Sequence, residues 1–249
     1  MAKANHHEIT SAEISFESVS FSYGQQVALE SVTFVVQRGE FLALLGHNGS
    51  GKTTLMKIAL GLLKPKGGKV LFRGEDISRL PKNNRIGYVQ QAFDWFDFQF
   101  PASVEEVVLL GRLIGKQKLF HKYNENDYFI AKNAMIAAGI YNLRDRKIGE
   151  LSGGQVQKAF LAKALASEAE LLFLDEPASA MDIESQRDFY KLLKKINQEK
   201  GITIFLISHD IGQVLEYATK VVVLDKRVVF EGHPAHFDAK SIWKLAERI

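Results

Sequence analysis

Residues 41–54 read Phe-Leu-Ala-Leu-Leu-Gly-His-Asn-Gly-Ser-Gly-Lys-Thr-Thr, and this stretch decides the fold. The five apolar residues at its start predict a strand that is covered on both faces, as strands of parallel sheets are. The Gly-x4-Gly-Lys-Thr spacing that follows is the pattern of a loop that binds nucleotide phosphates and opens a helix. A strand, such a loop and a helix in this order indicate an α/β fold. The predicted phosphate-binding residues are Gly46, His47, Asn48, Gly49, Ser50, Gly51, Lys52, Thr53 and Thr54.

Each part of this loop has a chemical reason. Its glycines let consecutive N–H groups turn inward around phosphate oxygens. The helix that follows directs the positive end of its dipole at the same anion. Lys52 can reach the β- and γ-phosphates, and the Thr53 hydroxyl can coordinate Mg²⁺. The structural alternative is a glycine-rich turn with a lysine nearby, and the flanking strand and helix argue against it.

Apolar runs of strand length recur further along the chain. Residues 171–174, 202–207 and 221–224 predict buried strands, while Ile183–Lys200 and residues 54–63 have the apolar spacing of helices. Apolar strands that alternate with helices indicate a parallel sheet with helices on both faces. Half-buried strands are predicted at 14–21 and 32–37, and further helices at 104–114, 126–138 and 155–166.

Polar residues follow two of these predicted strands. Asp175 and Glu176 come after the strand at 171–174, and His209 comes after the strand at 202–207. Parallel α/β sheets bind their ligands at the carboxyl ends of strands. Asp175 would hold Mg²⁺, directly or through water, and Glu176 would act as general base on the attacking water. His209 could contact the γ-phosphate. Without a phosphate loop upstream, such residues would more often be solvated turn residues.

The composition of the 249 residues excludes several classes of protein. The chain has no cysteine, which excludes disulfides, a zinc ribbon and an iron–sulfur cluster and fits a reducing compartment. The formal net charge of +3 and the lack of a basic run predict no nucleic-acid partner. The polar residues 1–10 lack a signal-peptide core. No apolar run reaches the ~18 residues that a transmembrane helix needs.

The segment 151–155, Leu-Ser-Gly-Gly-Gln, is a second motif, and it narrows the class of nucleotide-binding protein further. Ser152 and Gln155 have capping-box spacing, so Ser152 can begin a helix near Gly153. The two glycines argue against a purely structural role, because glycine costs about 1 kcal/mol relative to alanine inside a helix. Bare backbone at Gly153 and Gly154 instead permits close approach to a phosphate.

Taken together, the motifs resemble those of ATP-binding cassette (ABC) ATPases, in that family's order over residues 16–233. The resemblance implies that Tyr23 stacks on adenine and that Gln91 senses Mg²⁺ and the γ-phosphate. It also implies that Asp182 lies in a loop that crosses a dimer interface. The residues implied to contact the ATP of a second copy are Ser152, Gly153, Gly154 and Gln155. The implied catalytic residues are Glu176, His209 and Gln91, and the implied Mg²⁺ ligands are Thr53, Gln91 and Asp175.

The resemblance also implies the fold. We expect a P-loop NTPase (RecA-like) α/β fold, in which a mostly parallel sheet core carries an N-terminal antiparallel β subdomain and an inserted helical subdomain. One ABC ATPase domain is expected over residues 8–240, with its core at 8–92 and 160–240 and its helical subdomain at 93–159. A short C-terminal helix is expected at 241–249.

The implied function is ATP hydrolysis in a head-to-tail homodimer that holds ATP and Mg²⁺. Such a dimer lies on the cytoplasmic face of the cell membrane, bound to an integral permease and, indirectly, to an extracytoplasmic metal-binding protein. Five aromatics between Phe93 and Phe100 either fill the helical core or line the groove that receives the permease.

Residues 94–112 look like those of ATPase subunits that drive uptake of a divalent transition metal, zinc or manganese. Part of this segment, Val-Val-Leu-Leu-Gly-Arg, also recurs in iron-siderophore and cobalamin importers, which are the first alternative. A soluble ABC ATPase outside transport is the alternative of another class. Such proteins usually carry tandem cassettes, a long coiled-coil insertion or cysteine clusters, and this chain has none of them.

Overall fold

The computed structural model describes residues 12–80, 85–90, 101–113, 122–179 and 181–238. Their contacts divide the chain into two compact units. The first unit holds the described residues up to Leu80 and from Thr203 onward, and the second holds those between Pro81 and Ile202. The helix predicted at 241–249 lies outside the described residues, and the predicted division into core and helical subdomain stays a prediction.

The described residues form ten strands, six α-helices and five short 3-10 helices. The strands of the described residues are β1 (Ala12–Tyr23), β2 (Gln26–Gln37), β3 (Phe41–Leu45), β4 (Gly67–Phe72), β5 (Glu75–Asp76), β6 (Ile86–Val89), β7 (Leu171–Asp175), β8 (Thr203–Ile207), β9 (Lys220–Asp225) and β10 (Arg227–Gly232). The α-helices are α1 (Lys52–Ala59), α2 (Val104–Leu109), α3 (Glu125–Ala137), α4 (Gly153–Ala166), α5 (Ile183–Lys200) and α6 (Ile211–Val214). Short 3-10 helices lie at Ile77–Arg79, Leu110–Leu113, Tyr141–Leu143, Ile148–Glu150 and Pro234–His236.

The first unit begins with an antiparallel sheet in the order β2-β1-β4-β5. Alternate residues of β1 and β2 are buried, and the rings of Phe16 and Phe34 stack at 4.4 Å between centroids. Phe205 of β8 packs against both rings, at 6.0 and 6.3 Å. The expected N-terminal antiparallel sheet is therefore present, and its apolar face packs on a strand from the other end of the chain.

Parallel strands form the rest of the first unit. β3 pairs in parallel with β8 and with β9, and β10 closes the edge antiparallel to β9. All five residues of β3 are buried, which confirms the prediction from its apolar run. In the register, Leu44 lies beside Ile207, and Leu45 lies beside Val223. The carboxyl ends of these three strands therefore meet at one edge of the sheet.

The second unit contains a parallel strand pair, β6 with β7, and the four α-helices α2 to α5, of which α2, α3 and α4 pack on one another. Arg112 connects these helices. Its guanidinium lies 3.2 Å from the buried carboxylate of Asp127 on α3 and donates to the Ala166 carbonyl oxygen, at the end of α4, at 2.6 Å. Because Arg112 is only 12% exposed, the cluster is shielded from solvent. None of the described helices combines the length and apolar character needed to cross a bilayer.

Two predicted helices end earlier than expected. The helix predicted at 54–63 ends at Ala59, because Gly61 takes a left-handed φ of 70° and Leu62 is 65% exposed. The helix predicted at 104–114 ends at Leu109 and tightens into a 3-10 turn. Within that turn, a Cβ on Gly111 would lie 2.2 Å from the Lys163 carbonyl oxygen. Close contact between two backbones therefore fixes this turn.

We predict that Gly111→Ala destabilises the protein by about 2 kcal/mol or more, because the new methyl group meets backbone that cannot move aside. The matched control is Gly212→Ala, whose Cβ would lie an ordinary 3.7 Å from the Asp210 side chain. Urea unfolding of both variants measures the difference. Equal stability of the two variants would contradict the close contact at Gly111.

Candidate active site

The phosphate loop connects β3 to α1 and lies against two other strands of the first unit. A Cβ on Gly46 would lie 2.4 Å from the Leu224 carbonyl oxygen of β9. Gly51, at a left-handed φ of 101°, would place a Cβ 2.5 Å from the Ala28 carbonyl oxygen of β2. Only glycine fits at either position, so the loop backbone is held between β2 and β9.

Lys52 brings a positive charge into this loop. It is the first residue of α1 and only 6% exposed, and its ammonium donates to the carbonyl oxygens of Gly46 at 2.8 Å and His47 at 2.9 Å. Phosphate oxygens are stronger acceptors than carbonyls for an ammonium group. The glycine-rich loop, the Lys52 ammonium and the amino end of α1 together suit the binding of a nucleoside triphosphate.

His209 lies at the same sheet edge as the phosphate loop, because it follows β8 as the loop follows β3. Its side chain is exposed, while the hydroxyl of the preceding Ser208 accepts from the Asp210 N–H at 3.1 Å and shapes the turn. Tyr23 ends β1 in a hairpin with β2 and is 51% exposed. Its ring is therefore accessible for stacking, as its predicted role requires.

The acidic pair lies in the second unit, at the end of β7. Asp175 is the last residue of that strand, and Glu176 takes a left-handed φ of 45°. The Glu176 carbonyl oxygen accepts from the backbone N–H of Ser179 at 3.2 Å and from its hydroxyl at 3.1 Å, which closes a turn. Six other non-glycine residues of the described chain also have a positive φ, so this conformation places Glu176 in a turn and does not by itself indicate its function.

Tyr88 lies beside Asp175 and was not predicted from the sequence. β6 and β7 pair so that Tyr88 is opposite Phe173, two residues before Asp175. Burial, with the Asp175 charge adding to it, raises the pKa of Tyr88 to about 12. The phenol is therefore neutral at physiological pH and adds no negative charge beside Asp175. The Asp175 carboxylate in the second unit and the Thr53 hydroxyl in the first are each oxygen donors of the kind that Mg²⁺ prefers.

Residues 152–155 line a cavity of about 290 Å³ in the second unit. Ser152 is the N-cap of α4, and the Gln155 side-chain oxygen accepts from the Ser152 N–H at 3.0 Å, as the predicted capping box requires. Asp182 lines the same cavity and caps α5 through the Ser185 N–H at 2.9 Å. Hydrogen bonds from the Ser185 hydroxyl and N–H lower the pKa of the Asp182 carboxyl. The lining residues are Ser152, Gly153, Gly154, Gln155, Lys158, Met181, Asp182, Ser185 and Asp188.

Gln157 is a second residue that sequence reasoning missed. It is only 1% exposed on α4, and its amide nitrogen donates to the Gln90 carbonyl oxygen at 3.3 Å. Gln91, the predicted Mg²⁺ sensor, lies outside the described residues. The hydrogen bond thus joins the helix of the 151–155 segment to the residue directly before Gln91. Since the partners are 67 positions apart, no local pattern could have predicted the contact.

Comparison with known proteins decides the family. The family model described as ABC transporter matches residues 29–179, which span the phosphate loop, the 151–155 segment and the acidic pair. The chain belongs to the ABC transporter family. It is an ATP-binding subunit of the ABC ATPase type, and the P-loop α/β fold expected from the sequence is confirmed.

Two curated relatives match this ABC ATPase over most of their length. The zinc uptake system ATP-binding protein ZurA of Listeria innocua is 40% identical, over 88% of this chain and 85% of its own. The manganese transport system ATP-binding protein MntA of Synechocystis is 36% identical, over 88% of this chain and 84% of its own.

Two solved structures are similar as well. CbiO1 of Clostridium perfringens, part of the ABC transporter complex CbiONQ, gives a TM-score of 0.81 at 32% identity, covering 96% of both chains. The cassette MJ0796, dimeric with ADP and phosphate in a post-hydrolysis state, gives 0.74 at 27% identity, covering 90% of this chain and all of its own.

We predict that Lys52→Ala weakens ATP binding by roughly 100-fold or more, because it removes the charge inside the loop. The matched control is Lys57→Ala, which removes an exposed lysine from the same helix. Calorimetric titration with Mg²⁺-ATP measures both. Equal affinity of the two variants would contradict the placement of ATP in this loop.

Proposed function

We propose that this chain is the ATP-binding subunit of an importer for a divalent transition metal, zinc or manganese. It hydrolyses ATP as a head-to-tail homodimer on the cytoplasmic face of the cell membrane. An integral permease carries the metal, which an extracytoplasmic binding protein delivers. The observation that supports a dimer is the cavity beside segment 151–155.

That cavity supports a shared site because none of its lining residues belongs to the phosphate loop. Its lining residues all lie in the second unit, whereas the phosphate loop lies in the first. Its volume of about 290 Å³ is at the lower limit of pockets that hold a whole small ligand, which run from about 300 to 1,000 Å³. A cavity of this size can cover part of a nucleotide that is anchored elsewhere. In the homodimer, the anchor is the phosphate loop of the second copy.

In the proposed mechanism, hydrolysis uses the side chains predicted from the sequence. Glu176 accepts a proton from water as the water oxygen attacks the γ-phosphorus, and the bond to the β-phosphate oxygen breaks, giving ADP and phosphate. Lys52 and the loop N–H groups orient the phosphates, and His209 contacts the γ-phosphate. Thr53, Asp175 and Gln91 would hold Mg²⁺, which neutralises phosphate charge when it is bound.

ATP drives transport by shifting a population of conformations. ATP binds between two copies and favours the closed dimer, and hydrolysis removes that preference. The attached permease follows the dimer from one orientation to the other. The metal assignment rests on the zinc and manganese relatives, since the chain itself need not touch the cargo.

We predict that Glu176→Gln binds ATP but does not hydrolyse it, so that ATP with Mg²⁺ produces a lasting dimer on size-exclusion chromatography. Adding Ser152→Arg to this variant should abolish the dimer, because a bulky side chain fills the cavity that covers the partner's nucleotide. ATP binding to the single chain should remain.

The control for the arginine is Asn133→Arg in the same Glu176→Gln background, since Asn133 is exposed on α3 and does not line the cavity. Asn133→Arg should leave the ATP-dependent dimer intact. A Glu176→Gln protein that stays monomeric with saturating ATP, or a dimer that persists with Ser152→Arg, would refute the head-to-tail pairing.

For the cargo, we predict that the chain reconstituted with its permease drives ATP-dependent uptake of zinc or manganese into vesicles. The same vesicles are tested with iron, a ferric siderophore and cobalamin, and Lys52→Ala provides the background without ATP binding. Uptake of only a siderophore or cobalamin would reject the metal assignment while leaving the ATPase assignment in place.

A further inference from the structure

The turn between β9 and β10 supports the phosphate loop along its length. The Leu224 carbonyl oxygen lies against Gly46, and the Lys226 N–H donates to the Ser50 carbonyl oxygen at 2.8 Å. The Lys226 carbonyl oxygen in turn accepts from the Glu30 N–H of β2 at 2.7 Å. Loop, turn and β2 are thus connected by backbone contacts. All of these residues belong to the first unit.

His47 adds a side-chain contact to this support. Its ring Nδ1 lies 2.8 Å from the Asn48 carbonyl oxygen, and its Nε2 lies 3.0 Å from the Asp225 carboxylate oxygen Oδ1. A carbonyl oxygen and a carboxylate oxygen can only accept hydrogen bonds. A neutral imidazole has one N–H and can satisfy one of them, whereas the imidazolium has two and satisfies both. Both contacts can be hydrogen bonds at the same time only when the ring is charged.

We propose that His47 is a positioning residue of the phosphate loop that acts as an imidazolium paired with Asp225, and that losing its proton weakens nucleotide binding. This proposal rests on nucleotide binding by the loop and needs neither the dimer nor the importer. Asp225 lies across from the ring, and Lys52 donates to the His47 carbonyl oxygen. Lys226 and Arg227 follow Asp225 in the chain, and Arg227 pairs with Glu30 at 2.9 Å.

The direction of the effect follows from the charges. While His47 is protonated, its charge cancels that of Asp225, and the ring fastens the loop to the turn. When the proton leaves, one ring nitrogen presents a lone pair to an acceptor, so one of the two contacts is lost. The Asp225 carboxylate is then unbalanced beside a site for phosphate anions. Nucleotide affinity should therefore fall when the pH is raised far enough to remove this proton.

The test compares three proteins: the natural chain, His47→Arg and Asp225→Asn. Arginine stays charged at every pH and can donate to both acceptors. Asparagine removes the carboxylate that deprotonation would leave unbalanced. The probe is ADP with Mg²⁺, because hydrolysis cannot consume it. Its dissociation constant is measured by calorimetry from about pH 6 to about pH 9, and thermal unfolding checks that each variant is folded.

For the natural chain we expect the ADP dissociation constant to rise roughly fivefold more over this range than for His47→Arg, since one unbalanced charge several ångströms from the phosphates has about that effect. Titration of ADP itself cancels in the comparison. At about pH 9, Asp225→Asn should bind ADP more tightly than the natural chain, because no unbalanced carboxylate is left beside the phosphates. Parallel profiles for the natural chain and His47→Arg would overturn the proposal, as would an Asp225→Asn protein that binds ADP no more tightly than the natural chain at about pH 9.

Discussion

The phosphate loop depends on close contact between backbones, which glycine alone permits. Gly46 and Gly51 lie so near the carbonyl oxygens of Leu224 and Ala28 that a Cβ at either position would be closer than 3.0 Å. The loop is therefore shaped by β9 on one side and β2 on the other, and not by its own sequence alone. The glycines that allow the loop to bind phosphate also allow its backbone to pack against β2 and β9. Both requirements select the same glycines.

Regular elements were predictable where burial and periodicity agreed. β3 and α5 have the bounds that their patterns predicted, because β3 is covered on both faces and α5 ends at Gly201 in a left-handed conformation. The predicted ends of α1 and α2 were wrong because apolar residues continue in the sequence past the end of each helix. Leu62 extends the spacing of α1 but is exposed, and the turn at Gly111 is set by the distant Lys163 carbonyl oxygen. The pattern of one sequence shows neither the exposure of Leu62 nor the contact at Gly111.

The site was predictable as a set of residue types and not as a set of contacts. The sequence indicated the phosphate loop, the acidic pair and the 151–155 segment, because each has a short motif with a fixed spacing. Contacts that join distant segments have no such spacing. Tyr88 reaches Asp175 across a strand pair, Gln157 reaches Gln90 across 67 positions, and His47 reaches Asp225 across 178. No pattern in the sequence indicates these contacts, so only the folded structure shows them.

Electrostatics explain why the proposed mechanism needs both halves of a shared site. The cavity beside segment 151–155 contains Asp182 and Asp188 along with Lys158, so its own charges do not favour a phosphate. Its attraction for an anion comes from the backbone N–H groups at the start of α4, which act only at short range. The phosphate loop, in contrast, brings the buried charge of Lys52 and attracts the nucleotide first. A cavity with little affinity of its own would then close only over a nucleotide that another copy already holds, which makes dimerisation depend on ATP.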